Sequence, residues 1–492
     1  MPTPLQLGTL SFVLVSLGLS SHAGAQDPAI AHGPYLQALL DTSVVVIWNT
    51  DLPSAGKVSY RAEGGTEVSS PATAPDTSHR VPLAGLSPGT VYDYQVFDGD
   101  RALTEVSFSF RTSPLPGDGE IRIAVVGDSG VGNARQGRVA QVIEGFAADL
   151  FLHTGDLDYN NGDLDKSVFG PYRDILPNTG FYPSRGNHDN GFVWSDVFIS
   201  PSPNAGPGTF YSFDWGDAHF VALDTNVSLE AGDDQMSWLI ADLEAAQQTP
   251  RTWTILFFHE PVYTVGGHSD PPDLPPSRRL IPPVAARFGV DLVLSGHDHS
   301  YQRSHPALND LVVDAWHDPT FVSPAGTIYV VTGGGGGFKH PGGGVQDAAF
   351  TRVFESAYHA VELVISSSRI SVRALESQQT ILDAFSITKD LPRPEFKFIR
   401  GDANLSGTID LSDPVAILGH LFLGVLLNCP LAFEVIADAD DSGGPPDLAD
   451  PVYLLNFLFQ GGPPPLLPHP DCGTVAGADP TGCTKTGCPV GS

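Results

Sequence analysis

Five short stretches of this sequence place metal-binding side chains directly after apolar runs. They are Gly127-Asp128-Ser129-Gly130, His153-Thr154-Gly155-Asp156-Leu157-Asp158-Tyr159, Gly186-Asn187-His188-Asp189, Phe258-His259-Glu260-Pro261 and Gly296-His297-Asp298-His299. In open α/β sheets ligands sit at the carboxyl ends of strands, so the position counts as much as the residue type. Asp128, Asp156, Tyr159, Asn187, His259, His297 and His299 are the candidate ligands. That set is too large for one four-coordinate zinc. It suits two metals sharing a carboxylate, and Asp156 is the candidate bridge. Such a pair, about 3.5–4 Å apart, neutralises an anionic substrate and lowers the pKa of a bound water so that hydroxide exists near neutral pH. No cysteine falls in this part of the chain, which excludes thiolate catalysis and thiolate metal sites there.

The element that must position Asp156 is the apolar run Ala148-Asp149-Leu150-Phe151-Leu152, read as a strand that gives out at Gly155. Ile121 to Val126, Thr252 to Phe258, Val290 to Leu294 and Thr327 to Val331 read as further strands, and Gln136 to Ala147 as a helix. Asp234 to Gln247 predicts a helix with Met236, Leu239, Ile240 and Leu243 on its apolar face. Thr209 to Trp215 and His219 to Asp224, joined by Gly216-Asp217, predict an antiparallel hairpin. The alternation implies an α/β sandwich with central β-sheets over residues 120–390. The Gly333 to Gly337 run lacks the Lys-Ser/Thr ending of a P-loop, so it predicts close backbone packing. His153, His219, His305 and His359 read as structural or surface groups.

Residues 28–113 read as all-β. Ser43 to Trp48, Gly56 to Ala62, Arg80 to Leu83 and Val106 to Phe110 are expected strands, with turn signals between them, which suggests a β-sandwich. The run Leu86-Ser87-Pro88-Gly89-Thr90-Val91-Tyr92-Asp93-Tyr94 resembles fibronectin type III domains, with Trp48 and Tyr92 as core and corner residues. Pro114 to Gly119 is a Pro/Gly-rich linker.

The five stretches, in this order, resemble the metallophosphoesterases and within them the purple acid phosphatases, over roughly residues 28–390. The resemblance implies that Asp128, Asp156, Tyr159 and His299 hold a first metal. Asp156, Asn187, His259 and His297 would hold a second. It also implies Fe³⁺ at the first position, bound by a tyrosinate, with Zn²⁺, Fe²⁺ or Mn²⁺ at the second. The expected activity is hydrolysis of phosphate monoesters of the acid phosphatase type, by attack of a metal-bound hydroxide. His188, and His268 in Gly266-Gly267-His268-Ser269, would be catalytic groups facing the substrate. Asp189 stands where many relatives have Glu. A phosphodiesterase or nucleotidase on the same centre is the nearest alternative. A calcium-dependent adhesion or scaffold protein with an incidental phosphatase fold is the alternative of another class.

After a linker at 391–398, residues 401–460 hold an internal repeat. Gly401-Asp402-Ala403-Asn404-Leu405-Ser406-Gly407 recurs as Ala437-Asp438-Ala439-Asp440-Asp441-Ser442-Gly443, and Asp-Pro-Val recurs at Asp413 and Asp450. An apolar helix-like run follows each. Asp402, Asn404, Ser406, Thr408, Asp410 and Asp413 occupy the ligand positions of a calcium loop; Asp438, Asp440, Ser442, Asp447 and Asp450 repeat them with one residue inserted. The pattern resembles type I dockerins, all-α modules with two Ca²⁺ loops, and implies a cohesin-like partner. The expected module spans 399–473, followed by a cysteine-containing tail at 474–492.

Residues 1–25 read as a signal peptide, with an apolar run from Leu10 to Leu19 and the small-residue site Ala23-Gly24-Ala25, so a secreted or periplasmic location is expected. No apolar run is long enough to span a bilayer comfortably. The four cysteines, Cys429, Cys472, Cys483 and Cys488, come late and in even number, which favours two disulfides; Cys429–Cys472 with Cys483–Cys488 is the preferred pairing. A net charge of −31 argues against nucleic acid or an anionic membrane as a partner.

Overall fold

The structure, a computed structural model, describes residues 27–201, 209–249, 251–269, 275–315, 319–389, 398–423, 436–440, 446–466 and 469–470. The expected signal peptide, the linker up to residue 397, Ser442, all four cysteines and the 474–492 tail lie outside the described residues.

Two large sheets lie face to face. The first has ten strands, in the order Thr320–Val322, Ile381–Thr388, Arg369–Glu376, His359–Ile365, Ile121–Val126, Leu150–His153, Gly180–Pro183, Ile30–Gln37, Ser43–Ser54 and Asp76–Ala84. The second has seven, in the order Tyr211–Trp215, Ala218–Ala222, Trp253–Phe257, Leu292–Ser295, Ile328–Thr332, Tyr301–Ser304 and Thr351–Glu355. Side chains alternate along each strand. Ile123, Val125, Leu150 and Leu152 therefore meet Phe220, Ile255, Phe257, Leu292 and Leu294 in the core between the sheets. Ala124, Val126 and Phe151 face outward instead, under the helix Ala134–Glu144. On the far side, Val221, Leu256 and Val293 lie beneath helices Asp234–Ala246 and Ser277–Phe288. Leu152 and Ile255 are fully buried, and truncating either to Ala should cost about 2–5 kcal/mol.

The expected break between an N-terminal sandwich and the α/β layer is absent from the sheet itself. Ile30–Gln37 pairs with Gly180–Pro183 in parallel, at Leu36 opposite Gly180, so three N-terminal strands extend the first sheet. The remaining N-terminal strands form a separate sheet around Gly56–Ala62 and Val91–Asp98. It packs on Ser43–Ser54 through Trp48, Val58, Tyr94 and Val96, in a core continuous with that between the large sheets. Local pattern places strands but not their partners across more than a hundred residues, which is why the shared sheet escapes a sequence reading. The Tyr92 hydroxyl accepts the Ser87 N–H at 2.8 Å and so ties the turn before it to Val91–Asp98.

Two expectations shift for local reasons. The first helix begins at Ala134 rather than Gln136, because the Asn133 side chain caps the N–H groups of Arg135 and Gln136. Ser277–Phe288 is a helix despite Pro282 and Pro283, whose missing N–H groups hid it. Ile281, Pro282, Ala285 and Phe288 bury its inner face, and that burial outweighs the lost backbone bonds.

In the C-terminal region Ser412–Leu423 and Ala449–Gln460 are helices packed together through Ile417 and Leu454, over Ala403, Ala437 and Ala439. No helix among the described residues is long and apolar enough to cross a membrane.

Candidate metal centre

Asp128, Asp156 and Asn187 lie just past the ends of neighbouring parallel strands of the first sheet. His259, His297 and His299 lie past the ends of neighbouring strands of the second. The two sets meet where the carboxyl ends of both sheets converge. Reaching that point bends the backbone: Asp128, Asp156 and His297 have φ of 58°, 56° and 66°, the left-handed region that such residues seldom occupy. Gly155 (φ 93°) precedes Asp156, and a Cβ there would stand 2.6 Å from His259 Nδ1.

All seven predicted donors come together, in two groups. In one, the Tyr159 hydroxyl lies 2.7 Å from Asp156 Oδ2, 3.3 Å from Asp128 Oδ1 and 3.1 Å from His299 Nε2. In the other, His259 Nε2 lies 2.8 Å from Asn187 Oδ1, 3.2 Å from His297 Nδ1 and 3.4 Å from Asp156 Oδ1. The two oxygens of Asp156 therefore face different groups. Donors bound at about 2.1 Å to a common ion stand roughly 3–3.4 Å apart, close to these separations.

Tautomers strengthen that fit. His259 Nδ1 lies 2.9 Å from the Thr154 carbonyl and His299 Nδ1 lies 2.6 Å from that of Phe338. A carbonyl only accepts, so both Nδ1 atoms carry protons and both Nε2 lone pairs turn inward. Asn187 Oδ1 and the carboxylates are acceptors too, so these inward nitrogens need either a shared proton or a cation to meet them. Burial alone would keep His259 neutral, but Asp156 beside it pulls its pKa up to about 10; a field that retains a proton there also favours a metal ion. Burial, with His259 and His268 nearby, pushes His297 down to about 3, leaving it a lone-pair donor.

The two predicted catalytic histidines flank the groups. The His188 ring lies 4.7 Å from the Tyr159 ring, tilted by 47°, and its backbone N–H donates to Asp156 Oδ1 at 2.9 Å. His268 stacks 3.9 Å from the His297 ring, with Nδ1 3.1 Å from Asp298 Oδ1.

Residues 121–301 match the calcineurin-like phosphoesterase family, and residues 34–112 match the purple acid phosphatase N-terminal domain. The chain is a purple acid phosphatase-like metallophosphoesterase. Acid phosphatase type 7 of Homo sapiens is 27% identical over 367 residues, covering 66% of this chain and 82% of that protein. Purple acid phosphatase 15 of Arabidopsis thaliana is 26% identical over 296 residues, covering 52% of this chain and 53% of its own length, so this metallophosphoesterase spans about half of that relative. Among solved structures, purple acid phosphatase PPD1 from yellow lupin (Lupinus luteus) seeds shares the fold at a TM-score of 0.63, with 20% identity and 74% of each chain covered. Proteins carrying these names form a metal-dependent phosphoesterase family, and this metallophosphoesterase is an enzyme of that kind.

Several supporting residues went unread in the sequence. Asp298, fully buried, accepts from the Thr264 hydroxyl and from His268, and lies 3.1 Å from His340 Nδ1. His340 in turn stacks 4.2 Å from His299. The signal that marks Asp298 is its place between two candidate ligands; His340 has no local signal and arrives only because its loop folds back. Asp189, singled out in the sequence, accepts from the backbone N–H groups of Asp156, Asp158 and Gly186 and so holds the ligand loop. The glycine run packs closely, as expected: a Cβ on Gly335 would stand 2.4 Å from the Gly127 carbonyl and one on Gly337 2.5 Å from the His299 ring. His153 and His359 are fully buried, and His219 lies between Asp214 and Asp242, all three as structural groups.

Proposed function

We propose that the enzyme hydrolyses phosphate monoesters at a dinuclear centre. Asp128, Asp156, Tyr159 and His299 would hold the first metal, and Asp156, Asn187, His259 and His297 the second. The observation that carries this reading is the division of the donors into two groups that share only Asp156, one oxygen to each. The ions supply charge neutralisation and a water acidic enough to act at neutral pH. The chain's own residues do the rest. His188 and His268 stand beside the two groups to orient the phosphoryl oxygens and to give the leaving oxygen its proton. Hydrolysis forms a bond from water oxygen to phosphorus and breaks that to the leaving oxygen.

Tyr159 supports Fe³⁺ at the first position, with Zn²⁺, Fe²⁺ or Mn²⁺ at the second. Burial, Asp128 and Asp156 push its phenol well above the usual range, so only a strongly charged ion would take it as phenolate. The purified, oxidised protein should contain iron and absorb in the visible, and Tyr159→Phe should bleach it. A colourless protein holding only Mn²⁺ or Zn²⁺ after expression with iron would remove the ferric assignment. Rates on a monoester, a diester and ATP test the substrate class, and a diester preference would overturn it in favour of the phosphodiesterase alternative.

The C-terminal repeat we read as a dockerin-like calcium module joined to a fibronectin-like domain and a phosphatase domain in an exported chain. Asp402, Asp410 and Asp413 would ligate one Ca²⁺, with Asn404, Ser406 and the Thr408 carbonyl. Asp438, Asp440 and Asp450 lie close enough together to share another; Asp447, and Ser442 outside the described residues, would complete that loop. Val415 and Val452, and Phe422 and Phe459, are equivalent in the repeat and all exposed, a surface that suits a cohesin-like partner.

A further inference from the structure

The loop that backs His299 also carries an aromatic ring into solvent. The Phe338 carbonyl holds His299 Nδ1 at 2.6 Å, yet Phe338 itself is 76% exposed. One face of its ring lies 4.8 Å from the Arg135 guanidinium. Arg135 sits in the first turn of Ala134–Glu144, a helix with no acidic residue in that turn, where the helix dipole disfavours a cation. Its Nη1 donates to the Tyr358 hydroxyl at 2.6 Å, and it pairs with no carboxylate among the described residues. Lys339, also exposed, lies 5.4 Å from the Tyr358 ring and likewise has no carboxylate partner among them. On a chain with 56 acidic and 25 basic residues, two cations left unpaired beside an open aromatic face need a reason. The helix does not supply one, and neither does the packing of the glycine loop, which ends at Gly337.

The place of this cluster supplies the reason. Arg135 follows Asp128 by a short turn, and Phe338 follows the residue packed on His299, so ring and cations border the Asp128–Tyr159–His299 side of the centre. We propose that Phe338, Arg135 and Lys339 form a leaving-group subsite, selecting phosphate compounds whose leaving group carries a flat ring and a second anionic group. The inference rests on the phosphatase reading above. A flat ring stacks on the open face of Phe338, as nucleobases do on exposed aromatic side chains. The second anion meets Arg135 and Lys339, whose charges have no competitor. A small uncharged leaving group reaches neither.

Three probes separate the parts. Glycerol 2-phosphate offers neither ring nor second anion, AMP offers a ring, and ADP cleaved at its terminal phosphoryl group offers both. The readout is the ratio of kcat/KM between probes within each variant of the full-length, metal-loaded enzyme, so a general loss of activity cancels. Phe338→Ala should lower both nucleotides about tenfold relative to glycerol 2-phosphate, and Phe338→Tyr should restore the ratio. Arg135→Ala with Lys339→Ala should lower ADP relative to AMP by about threefold to tenfold, an effect that fades with added salt. Unchanged ratios in both sets, or a Phe338→Ala loss equal on all three probes, would overturn the subsite. No hydrolysis of glycerol 2-phosphate or AMP by wild type would instead strike the phosphatase reading itself.

Discussion

The catalytic cleft and the C-terminal repeat both bury aspartates side by side, and they relieve the resulting repulsion differently. In the repeat, backbone amides do it. Asp402 accepts from the N–H groups of Ser406 and Gly407. Asp413 accepts from Asn404 and Asp410, and Asp450 repeats the pattern with Ala439 and Asp447. Each carboxylate is held by its own loop, so the arrangement is local. In the cleft the candidate ligands come from both sheets, three of them with backbones bent into the left-handed region, and Asn187 Oδ1 and Asp156 Oδ1 face an imidazole nitrogen that only a shared proton or a cation can bridge. A local loop can satisfy itself; a site assembled from distant strand ends leaves a charge deficit at its centre. The difference teaches that a metal would be integral to the cleft, whereas in the repeat it would add to an arrangement the backbone already holds.

The sharpest way to break this contrast is to remove the shared carboxylate. Asp156→Asn should lower kcat/KM by on the order of 10³-fold and deplete both metals, measured by elemental analysis, because it faces both donor groups. His188→Ala should lower kcat by about 10²-fold while metal content holds, since its side chain meets the candidate ligands through a tilted ring contact with Tyr159 and its backbone N–H to Asp156 survives the substitution. Equal metal loss in the two variants would show that His188 belongs among the ligands. Calcium chelation should increase hydrogen exchange in residues 401–460 yet change phosphatase activity less than about twofold, as expected for sites without shared partners. Loss of catalysis on removing calcium alone would contradict the independence of the two regions.

The smallest effect concerns a third way to pair carboxylates. Burial would lower the pKa of His219, but hydrogen bonds to Asp214 (2.8 Å) and Asp242 (2.9 Å) raise it to about 9. Arg251 lies beyond, 3.4 Å from Asp214. A histidine whose folded pKa exceeds its unfolded one stabilises fully below about pH 6.5 and loses that contribution as pH rises through about 9. The contribution is on the order of 3 kcal/mol. The Tm gap between wild type and Asp242→Asn should therefore be widest near pH 6 and nearly closed near pH 10. A gap that widened with pH would mean that the imidazole is neutral in the fold.

Sequence alone named the candidate donors. A glycine followed by Asp, Asn or His after an apolar run is a local pattern, because the strand that ends there and the side chain that ligates are only a few residues apart. The helix Asp234–Ala246 and the repeat were legible for the same reason: period and composition are properties of short windows. Tertiary structure decided what those windows could not contain. It divided the donors into two groups about Asp156, joined the N-terminal strands to the catalytic sheet through Leu36 and Gly180, and brought His340 from a distant loop to stack on His299. It also set Arg135 against the exposed ring of Phe338, about two hundred residues away in the chain. Each of these depends on contacts between residues far apart in the chain, where burial of the two facing sheets, rather than any local preference, sets who meets whom.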